Sequence, residues 1–282
     1  MKLVRYGARG AEKPGLVDGA GQVRDLSAHI EDINGAVLDE ASLATLRALD
    51  PASLPEVAAG TRLGAPINGV TNFIAVGLNF EDHAKEANQP IPDEPILFNK
   101  LTNCIVGPND DVIKPRGSTK LDWECELAFV IGKRARYVAL DDAASHIAGY
   151  CVCNDVSERA FQLEGTGQWM KGKCAETFGP LGPWLVTADE IADIDQLGMW
   201  LDVNGQRMQT GNTNTMIFNV RFLLHYISQF MVLEAGDVVT TGTPPGVGLG
   251  MKPPVLLNVG DEMRLGIDGL GEQHQKVVAC DV

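Results

Sequence analysis

Two carboxylates, Glu124 and Glu126, stand two residues apart in a run that otherwise looks like a buried strand. The run covers residues 121–131, and most of its other side chains are those of a buried strand. Because successive strand side chains point to opposite faces, both carboxylates lie on the same face. Buried like charges persist only where they are paired, hydrogen-bonded or bound to a metal, since desolvation costs several kcal/mol per ion. The pair therefore predicts half of a cation site.

A third acid, Asp155, ends a second apolar run that begins at Gly149. Taken alone, an acid at the end of a strand is more simply a cap for the segment that follows. Together with Glu124 and Glu126 it completes a set of three oxygen ligands without a neighbouring His or Cys. Such a set suits a hard cation, Mg²⁺ or alternatively Mn²⁺, which keeps open positions for water or substrate.

His83 and Glu86 are the candidates for acid–base chemistry. They follow a strand predicted at residues 73–78, in a short helix that Asn79 could cap. Residues three apart share one helix face, so the two side chains are expected to meet. The spacing alone also fits a solvated helix face with an accidental His, and both interpretations stay open here.

The elements that must position these residues suggest two modules. A chain of 282 residues with 45% hydrophobic residues can bury a sizeable core. Residues 58–66 are small and interrupted by Gly and Pro, as connections between modules often are. We therefore predict a small N-terminal domain over residues 1–70 and a catalytic domain over residues 71–282.

Charge and composition exclude several classes of partner. A net charge of −14 argues against a nucleic-acid or anionic-membrane surface, because both require a basic footprint. No apolar run approaches the ~18 residues of a membrane span, and the first residues lack the apolar segment of a signal peptide. The six cysteines include no Cys-x-x-Cys pair, which favours reduced thiols. These features predict a cytoplasmic protein that acts on small molecules.

Glycine-rich segments and turns mark the remaining chain. Residues 164–173 are predicted to form a loop, but not a phosphate-binding one, because the Gly-Lys-Ser/Thr ending is absent. Asn204-Gly205 predicts a hairpin between residues 199–203 and 206–209. A strand at residues 238–241 is expected to enter a rigid turn at residues 242–248.

Five segments, in this order, resemble the fumarylacetoacetate hydrolase family across residues 71 to 282. They are residues 76–79 with His83 and Glu86, residues 122–127, residues 154–159, Lys173 with residues 177–180, and residues 241–246. The resemblance implies an α+β, β-rich fold: a mixed β-sandwich roll beside the small N-terminal α+β domain. It further implies a divalent metal, chemistry on 2-oxo or 2,4-dioxo acids, and a homodimer.

The same resemblance assigns roles to individual residues. Glu124, Glu126 and Asp155 would hold the metal. His83 and Glu86 would activate water, and Lys173 would lie beside the metal. Arg159, Gln162 and Thr243 would contact the substrate. The chain departs from the family pattern after the lysine, with Cys174-Ala175-Glu176 in place of Ser-Phe-Asp.

Three functions fit these residues. The first is a Mg²⁺-dependent hydrolase that cleaves a 2,4-dioxo acid into pyruvate and a second acid. Residues 169–173 and 180–184 resemble the subgroup that acts on sugar-derived 2,4-didehydro-3-deoxy acids, such as rhamnonate or fuconate derivatives. The second is oxaloacetate decarboxylation or 2-hydroxydienoate isomerisation at the same site, neither of which needs a nucleophilic water. The third is a non-catalytic protein stabilised by metal, which would leave the acid–base residues without a role.

Asp122 is the remaining acid of the first strand. By parity it lies on the same face as Glu124 and Glu126. The family pattern uses only the later two acids, so Asp122 is expected to lie outside the metal coordination shell.

Overall fold

The computed structural model describes residues 1–281, which form seventeen strands and five α-helices in one sheet-rich α+β fold. The strands are β1 (Lys2–Tyr6), β2 (Lys13–Val17), β3 (Val23–Asp25), β4 (Phe73–Gly77), β5 (Ile96–Lys100), β6 (Ile105–Val106), β7 (Val112–Lys114), β8 (Leu121–Asp122), β9 (Cys125–Ile131), β10 (Ile147–Asn154), β11 (Ser157–Glu158), β12 (Gly179–Thr187), β13 (Gly198–Val203), β14 (Gln206–Asn212), β15 (Val238–Thr240), β16 (Glu262–Ile267) and β17 (Gly271–Ala279).

The helices are short, and most lie between strands. The α-helices are α1 (Glu40–Arg47), α2 (Glu81–Glu86), α3 (Arg159–Leu163), α4 (Trp169–Lys173) and α5 (Val220–Ser228). Single 3₁₀ turns or short 3₁₀ helices occur at Gly35–Val37, Pro51–Ser53, Thr102–Cys104, Leu140–His146, Ala188–Glu190, Ile194–Gln196, Thr213–Thr215 and Gly248–Gly250. In residues 1–281, no helix has both the length and the apolar character to cross a bilayer.

Ten strands form one large mixed sheet with the order β3-β2-β1-β12-β10-β9-β15-β4-β5, to which β6 adds beside β12. A second sheet of five strands has the order β14-β13-β16-β17-β7. The second sheet packs on β9, β10 and β12 of the first. The fold class predicted from the sequence, a mixed β-sandwich roll, is confirmed. The first three strands extend the large sheet through β1 and β12, which pair antiparallel.

Strand β9 lies in the middle of the large sheet and contacts β13 and β16 of the second sheet. All seven of its residues are buried, which explains why the sequence is almost continuously apolar and does not alternate. Buried amides join the two sheets across this region. The backbone N–H of Cys125 donates to Oε1 of Gln209 over 2.9 Å, and Nε2 of Gln273 donates to the carbonyl of Val152 over 2.8 Å. The core beneath the site is thus held by hydrogen bonds as well as apolar packing.

The continuous strand predicted over residues 121–131 is interrupted. β8 ends at Asp122 and β9 begins at Cys125, so Trp123 and Glu124 lie between them. A side chain takes over ladder hydrogen bonding at the break, because Glu124 N–H donates to Oδ1 of Asn154 over 3.2 Å. The predicted hairpin around Asn204-Gly205 is confirmed by the pairing of β13 with β14.

Candidate active site

Three buried carboxylates meet where β9 begins and β10 ends. One oxygen from each of Glu124, Glu126 and Asp155 lies within 4.8 Å of the other two. The antiparallel register places Glu126 opposite Cys153, and the backbone N–H of Asp155 donates to the carbonyl of Glu124 over 2.9 Å. The structure therefore brings together the three acids chosen from the sequence, and we call them the acidic triad.

Two cationic side chains contact the acidic triad from helices α3 and α4. Nζ of Lys173 lies 2.6 Å from Oε2 of Glu124 and 2.8 Å from Oδ2 of Asp155. Nη2 of Arg159 lies 2.7 Å from Oε1 of Glu124. Both cations are buried, at 2% and 6% exposure, so these pairs are shielded from water. The predicted lysine and arginine are thus both placed at the triad.

A second lysine, Lys100, was missed by the sequence analysis. It ends β5, and its Nζ donates to Oδ1 of Asp155 and to the backbone carbonyl of Lys173, each over 2.6 Å. Burial alone would lower the pKa of Lys100, but the charge and hydrogen bond of Asp155, together with the neighbouring thiols of Cys104 and Cys153, outweigh burial and raise it above the usual value. Lys100 therefore stays charged and joins a triad member to the segment that carries Lys173.

The two glutamates of the triad differ in their surroundings. Burial alone would raise the pKa of Glu124, but the charges of Lys173 and Arg159 outweigh it and lower that pKa to about 2. Burial and the like charges of Asp155 and Glu124 raise the pKa of Glu126 well above its usual value. Within residues 1–281, Glu126 takes part in no ion pair. The site is thus short of positive charge beside Glu126.

This donor set fits a divalent metal ion. All three ligands are carboxylates, they converge within the reach of one ion, and one of them lacks a counter-charge. Oxygen-only sets of this kind favour Mg²⁺ or Mn²⁺ over metals that prefer imidazole or thiolate. The residues that would hold the ion are Glu124, Glu126 and Asp155.

Two members of the triad, Glu124 and Glu126, line a cavity of about 710 Å³. One part of its wall is ionic and polar, with Glu124, Glu126, Arg159, Gln162, Lys173 and Thr243. Another part is apolar, with Val76, Leu78, Ile96, Phe98, Leu163, Trp169, Val247 and Leu249. His83 and Glu86 line the same cavity, and so do Asn88, Gln89 and Lys252. A small acid with a polar head and a short second group would fit this division.

His83 and Glu86 form a hydrogen-bonded pair on α2. Nδ1 of His83 lies 3.0 Å from Oε2 of Glu86, as the three-residue spacing predicted. The other oxygen of Glu86 accepts the backbone N–H of Gly246 over 2.9 Å. Burial would raise the pKa of Glu86, but the hydrogen bonds from His83 and Gly246 outweigh it and lower that pKa. Glu86 thus remains a carboxylate that can orient the imidazole.

Asn79 does not cap α2, contrary to the sequence prediction. The helix begins one residue later, after Phe80, and has no side-chain cap. The amide of Asn79 instead donates to the carbonyls of Phe218 and Thr241 over 3.0 and 2.8 Å. Asn79 therefore joins the segment just before α2 to the end of β15 and satisfies two backbone carbonyls.

The three predicted substrate-contacting residues all line the cavity, but they are not equally available. Arg159 donates through Nη1 to Oε1 of Gln162 over 3.1 Å, which holds the two side chains together. The hydroxyl of Thr243 donates to the carbonyl of Cys125 over 3.0 Å and accepts from Gln209 over 2.8 Å. The hydroxyl hydrogen of Thr243 is therefore already used within the protein.

Helix α4 replaces part of the loop predicted at residues 164–173. Its first residue, Trp169, packs on Gly77, where an added Cβ would lie 2.5 Å from a ring carbon. Trp169 also meets Phe98 edge to face at 5.4 Å, and Nζ of Lys173 lies 5.3 Å from the Phe98 ring centre. Burial of the tryptophan against β4 and β5 orders the helix that the Gly-rich sequence did not suggest.

Asp122 lies outside the triad, as expected. Its Oδ2 accepts from Nε of Arg159 over 2.8 Å, and its Oδ1 accepts backbone N–H groups. Asp122 is not among the carboxylates whose oxygens converge within 4.8 Å of one another.

Residues 72–278 match the family model described as the fumarylacetoacetate (FAA) hydrolase C-terminal. A relative from Burkholderia cenocepacia strain J2315, named only as a hydrolase, is 56% identical over 276 residues. That alignment covers 98% of each protein.

Solved structures of both hydrolases and isomerases share the fold. A fumarylacetoacetate hydrolase from Exiguobacterium antarcticum matches with a TM-score of 0.86 at 34% identity, over 99% of this chain and 100% of the other. A probable 2-hydroxyhepta-2,4-diene-1,7-dioate isomerase from Mycobacterium abscessus matches at 0.85 and 31%, over 100% of both chains. Maleylpyruvate hydrolase from Sphingobium sp. SYK-6, solved with manganese(II) and pyruvate, matches at 0.83 and 28%, over 99% of both chains.

Proposed function

This chain belongs to the fumarylacetoacetate hydrolase family, and on that premise we propose that it is a divalent-metal-dependent hydrolase of 2,4-dioxo acids. It cleaves a carbon–carbon bond and releases pyruvate and a second carboxylic acid. One observation carries the proposal: Glu124 and Glu126 of the acidic triad line the same cavity as the His83–Glu86 pair. A metal-binding protein without catalysis would have no use for that pair.

The 2-oxo acid end of the substrate binds at the triad. A divalent ion held by Glu124, Glu126 and Asp155 would supply Lewis-acid stabilisation of negative charge on the 2-oxo and carboxylate oxygens. Arg159 directs three of its five N–H groups to Asp122, Glu124 and Gln162, which leaves two for a substrate carboxylate. Lys173 adds a second fixed positive charge at the same end.

His83 acts as the general base. The Glu86 carboxylate accepts a hydrogen bond from Nδ1–H of His83. The lone pair on Nε2 is then free to take a proton from water. The water oxygen attacks the 4-oxo carbon, and the bond between carbons 3 and 4 breaks. Its electron pair goes to the pyruvate fragment, which then takes up a proton. Lys173 is the lysine that both contacts the triad and lines the cavity, so it is the proposed donor of that proton. A positioned base of this kind contributes about 10² to 10⁴ in rate.

We assign the acyl portion of the substrate to a sugar-derived 2,4-didehydro-3-deoxy acid, such as a rhamnonate or fuconate derivative. Asn88, Gln89 and Lys252 supply side-chain donors beside the His83–Glu86 pair, and donors of this kind suit hydroxyl groups. Magnesium is the expected metal. The manganese in maleylpyruvate hydrolase supports Mn²⁺ as a working substitute.

A substrate panel tests this function. Acylpyruvates and sugar-derived dioxo acids are incubated with the protein, and pyruvate is measured with and without EDTA. The proposal expects release of pyruvate that EDTA abolishes and Mg²⁺ or Mn²⁺ restores. Pyruvate release that is unaffected by EDTA would overturn the metal-dependent mechanism.

A second function keeps the site and changes the reaction. Oxaloacetate decarboxylation or isomerisation of a 2-hydroxydienoate would use the triad without a nucleophilic water. The observation that favours it is the isomerase among the solved relatives of equal coverage. Direct assays of oxaloacetate loss and of diene isomerisation, run beside the pyruvate assay, separate the two functions.

The assembly proposed for this function is a homodimer. It rests on the family relationship, and light scattering behind a sizing column measures it directly against the 30.3 kDa mass of one chain.

A further inference from the structure

The carboxylate of Asp122 is fully buried, and both of its oxygens are in use. Oδ1 accepts the backbone N–H groups of Trp123 and Gly248 over 2.8 and 2.7 Å. Oδ2 accepts the backbone N–H of Leu249 over 3.0 Å and Nε of Arg159 over 2.8 Å. Four donors on one buried carboxylate make it a fixed point rather than a mobile group.

One side of this fixed point leads to the substrate-binding end of the cavity. Asp122 holds Nε of Arg159, and the same guanidinium contacts Glu124 through Nη2 and Gln162 through Nη1. Without Asp122 the guanidinium would keep contacts on one edge only. Its planar fork would then lose the orientation that a bidentate contact with a carboxylate requires.

The other side leads to the acid–base pair. The segment 246–250 contacts Asp122 through the N–H groups of Gly248 and Leu249 and contacts Glu86 through the N–H of Gly246. The chain passes so close to Glu86 that an added Cβ on Gly250 would lie 3.1 Å from its Cδ atom. The position of this segment therefore decides where the Glu86 carboxylate rests.

We propose that Asp122 is a positioning residue that sets Arg159 and the segment 246–250 at fixed places relative to each other. Through that segment it also fixes the position of Glu86. The substrate-binding arginine and the water-activating pair therefore keep a constant position relative to each other. The inference rests on the proposed function for the roles of Arg159 and Glu86. The four hydrogen bonds of Asp122 are independent of those roles.

Asp122→Asn tests the proposal. The Asn amide nitrogen would replace one carboxylate oxygen. This nitrogen is a donor, so it would face another donor, either Nε of Arg159 or the backbone N–H groups, and that hydrogen bond would be lost. The matched control is Asp237→Asn, because Asp237 is also buried and also accepts backbone N–H groups, from Asn72 and Glu234. Asp237 does not line the cavity.

Calorimetry of Mn²⁺ alone, and then of pyruvate with the Mn²⁺-loaded protein, gives the first readout. For Asp122→Asn we expect the Kd for pyruvate to rise about tenfold or more, as for loss of an oriented charged contact. The Kd for Mn²⁺ should change less than about threefold, because Asp122 is not a member of the triad. Pyruvate binding equal to that of the control variant would overturn the proposal.

Hydrogen exchange gives a second readout that needs neither ligand nor a folded Asp122 variant. Arg159→Lys keeps the charge but loses the fork, and no hydrogen bond joins Arg159 to the segment 246–250 within the described residues. If Asp122 links the two, exchange in a peptide over residues 244–252 should be at least about threefold faster in Arg159→Lys than in the wild type. Unchanged exchange would overturn the link.

These outcomes are separate from failure of the proposed function. Wild-type protein that releases no pyruvate from any dioxo acid would refute the hydrolase assignment, and the exchange measurement would still decide the role of Asp122.

Discussion

Nζ of Lys100 lies 2.6 Å from Oδ1 of Asp155, and neither side chain has any exposed surface. A buried ion pair of this kind gains little over an apolar pair, but removal of one partner leaves an uncompensated buried charge. Lys100 also holds the backbone carbonyl of Lys173. The pair thus fixes a triad carboxylate and the end of α4 at the same time.

Replacement of this lysine should therefore destabilise the metal-free protein strongly. For Lys100→Met we expect the free energy of unfolding to fall by about 3 to 5 kcal/mol, the cost of breaking a buried ion pair. Urea unfolding in EDTA measures it. Lys133→Met, at an exposed position, is the control and should stay within about 0.5 kcal/mol of the wild type. Equal losses in both variants would contradict a structural role of the pair.

Glu126→Gln should remove metal binding. The amide keeps the size of the side chain and lacks the charge, and Glu126 is the triad member without a cationic partner in the described chain. We expect the Kd for Mn²⁺ to rise about a hundredfold, an effect of the size seen on loss of well-placed metal-site groups. A thermal shift on adding Mn²⁺ should disappear as well. The control is Glu176→Gln, at an exposed acid three residues after Lys173, and it should keep both Mn²⁺ binding and the thermal shift. A normal thermal shift with Mn²⁺ in Glu126→Gln would place the metal elsewhere.

His83→Ala separates hydrolysis from the alternative reactions. Loss of the general base should lower kcat for pyruvate release by about 10² to 10⁴, with the Kd for Mn²⁺ unchanged. Decarboxylation or isomerisation at the same site needs no water nucleophile and should survive the substitution. His146→Ala is the matched control, because His146 lies at the opposite end of β10 from the triad and hydrogen-bonds the backbone carbonyl of Lys133. Undiminished turnover of the best substrate in His83→Ala would rule out hydrolysis through this pair.

Buried thiols predict the alkaline limit of stability. Burial raises the pKa of Cys151 from 9.0 to about 12, against a weaker lowering by a backbone hydrogen bond. The unfolded thiol ionises first, so above pH 9 the unfolded state binds fewer protons and stability falls as pH rises toward 12. Below pH 9 this contribution is fully present. Between pH 8 and 10 we expect a loss of about 1.4 kcal/mol from this thiol.

Urea unfolding of Cys151→Ala at pH 8 and 10, in a reducing agent, checks this value. The variant should lose about 1.4 kcal/mol less than the wild type over that interval. Val152→Ala creates a cavity at the neighbouring buried position without removing a thiol, and its pH slope should equal the wild-type slope. An unchanged slope in Cys151→Ala would exclude this thiol as the source.

Much of the site could be predicted because its residues violate the pattern around them. Glu124 and Glu126 are charges in a run that otherwise looks like a buried strand, and such an exception needs a partner. Helical spacing predicts that His83 and Glu86 meet, but it fits a solvated helix face as well. The roles of Lys173 and Arg159 followed from the family resemblance and not from local spacing.

The parts that sequence reasoning missed depend on distant contacts. Lys100 closes a short strand in which exposed residues also occur, so nothing local marks it as buried; its partner, Asp155, is 55 residues away. The end of β8 at Asp122 depends on a segment more than a hundred residues further along the chain. Helix α4 depends on the packing of Trp169 on β4 and β5. The periodicity of apolar residues along the sequence does not reveal such contacts.

The acidic triad is fastened to the middle of the ten-stranded sheet, whereas His83 and Glu86 stand on a six-residue helix outside it. This helix does not pair with β9 or β10 in the sheet, so a substitution on its surface does not interrupt their hydrogen bonds. Solved relatives of the same shape carry the names of hydrolases and of an isomerase. In a scaffold divided in this way, the proposed cation site belongs to the sheet, and the proposed acid–base pair belongs to a separate element that can change on its own.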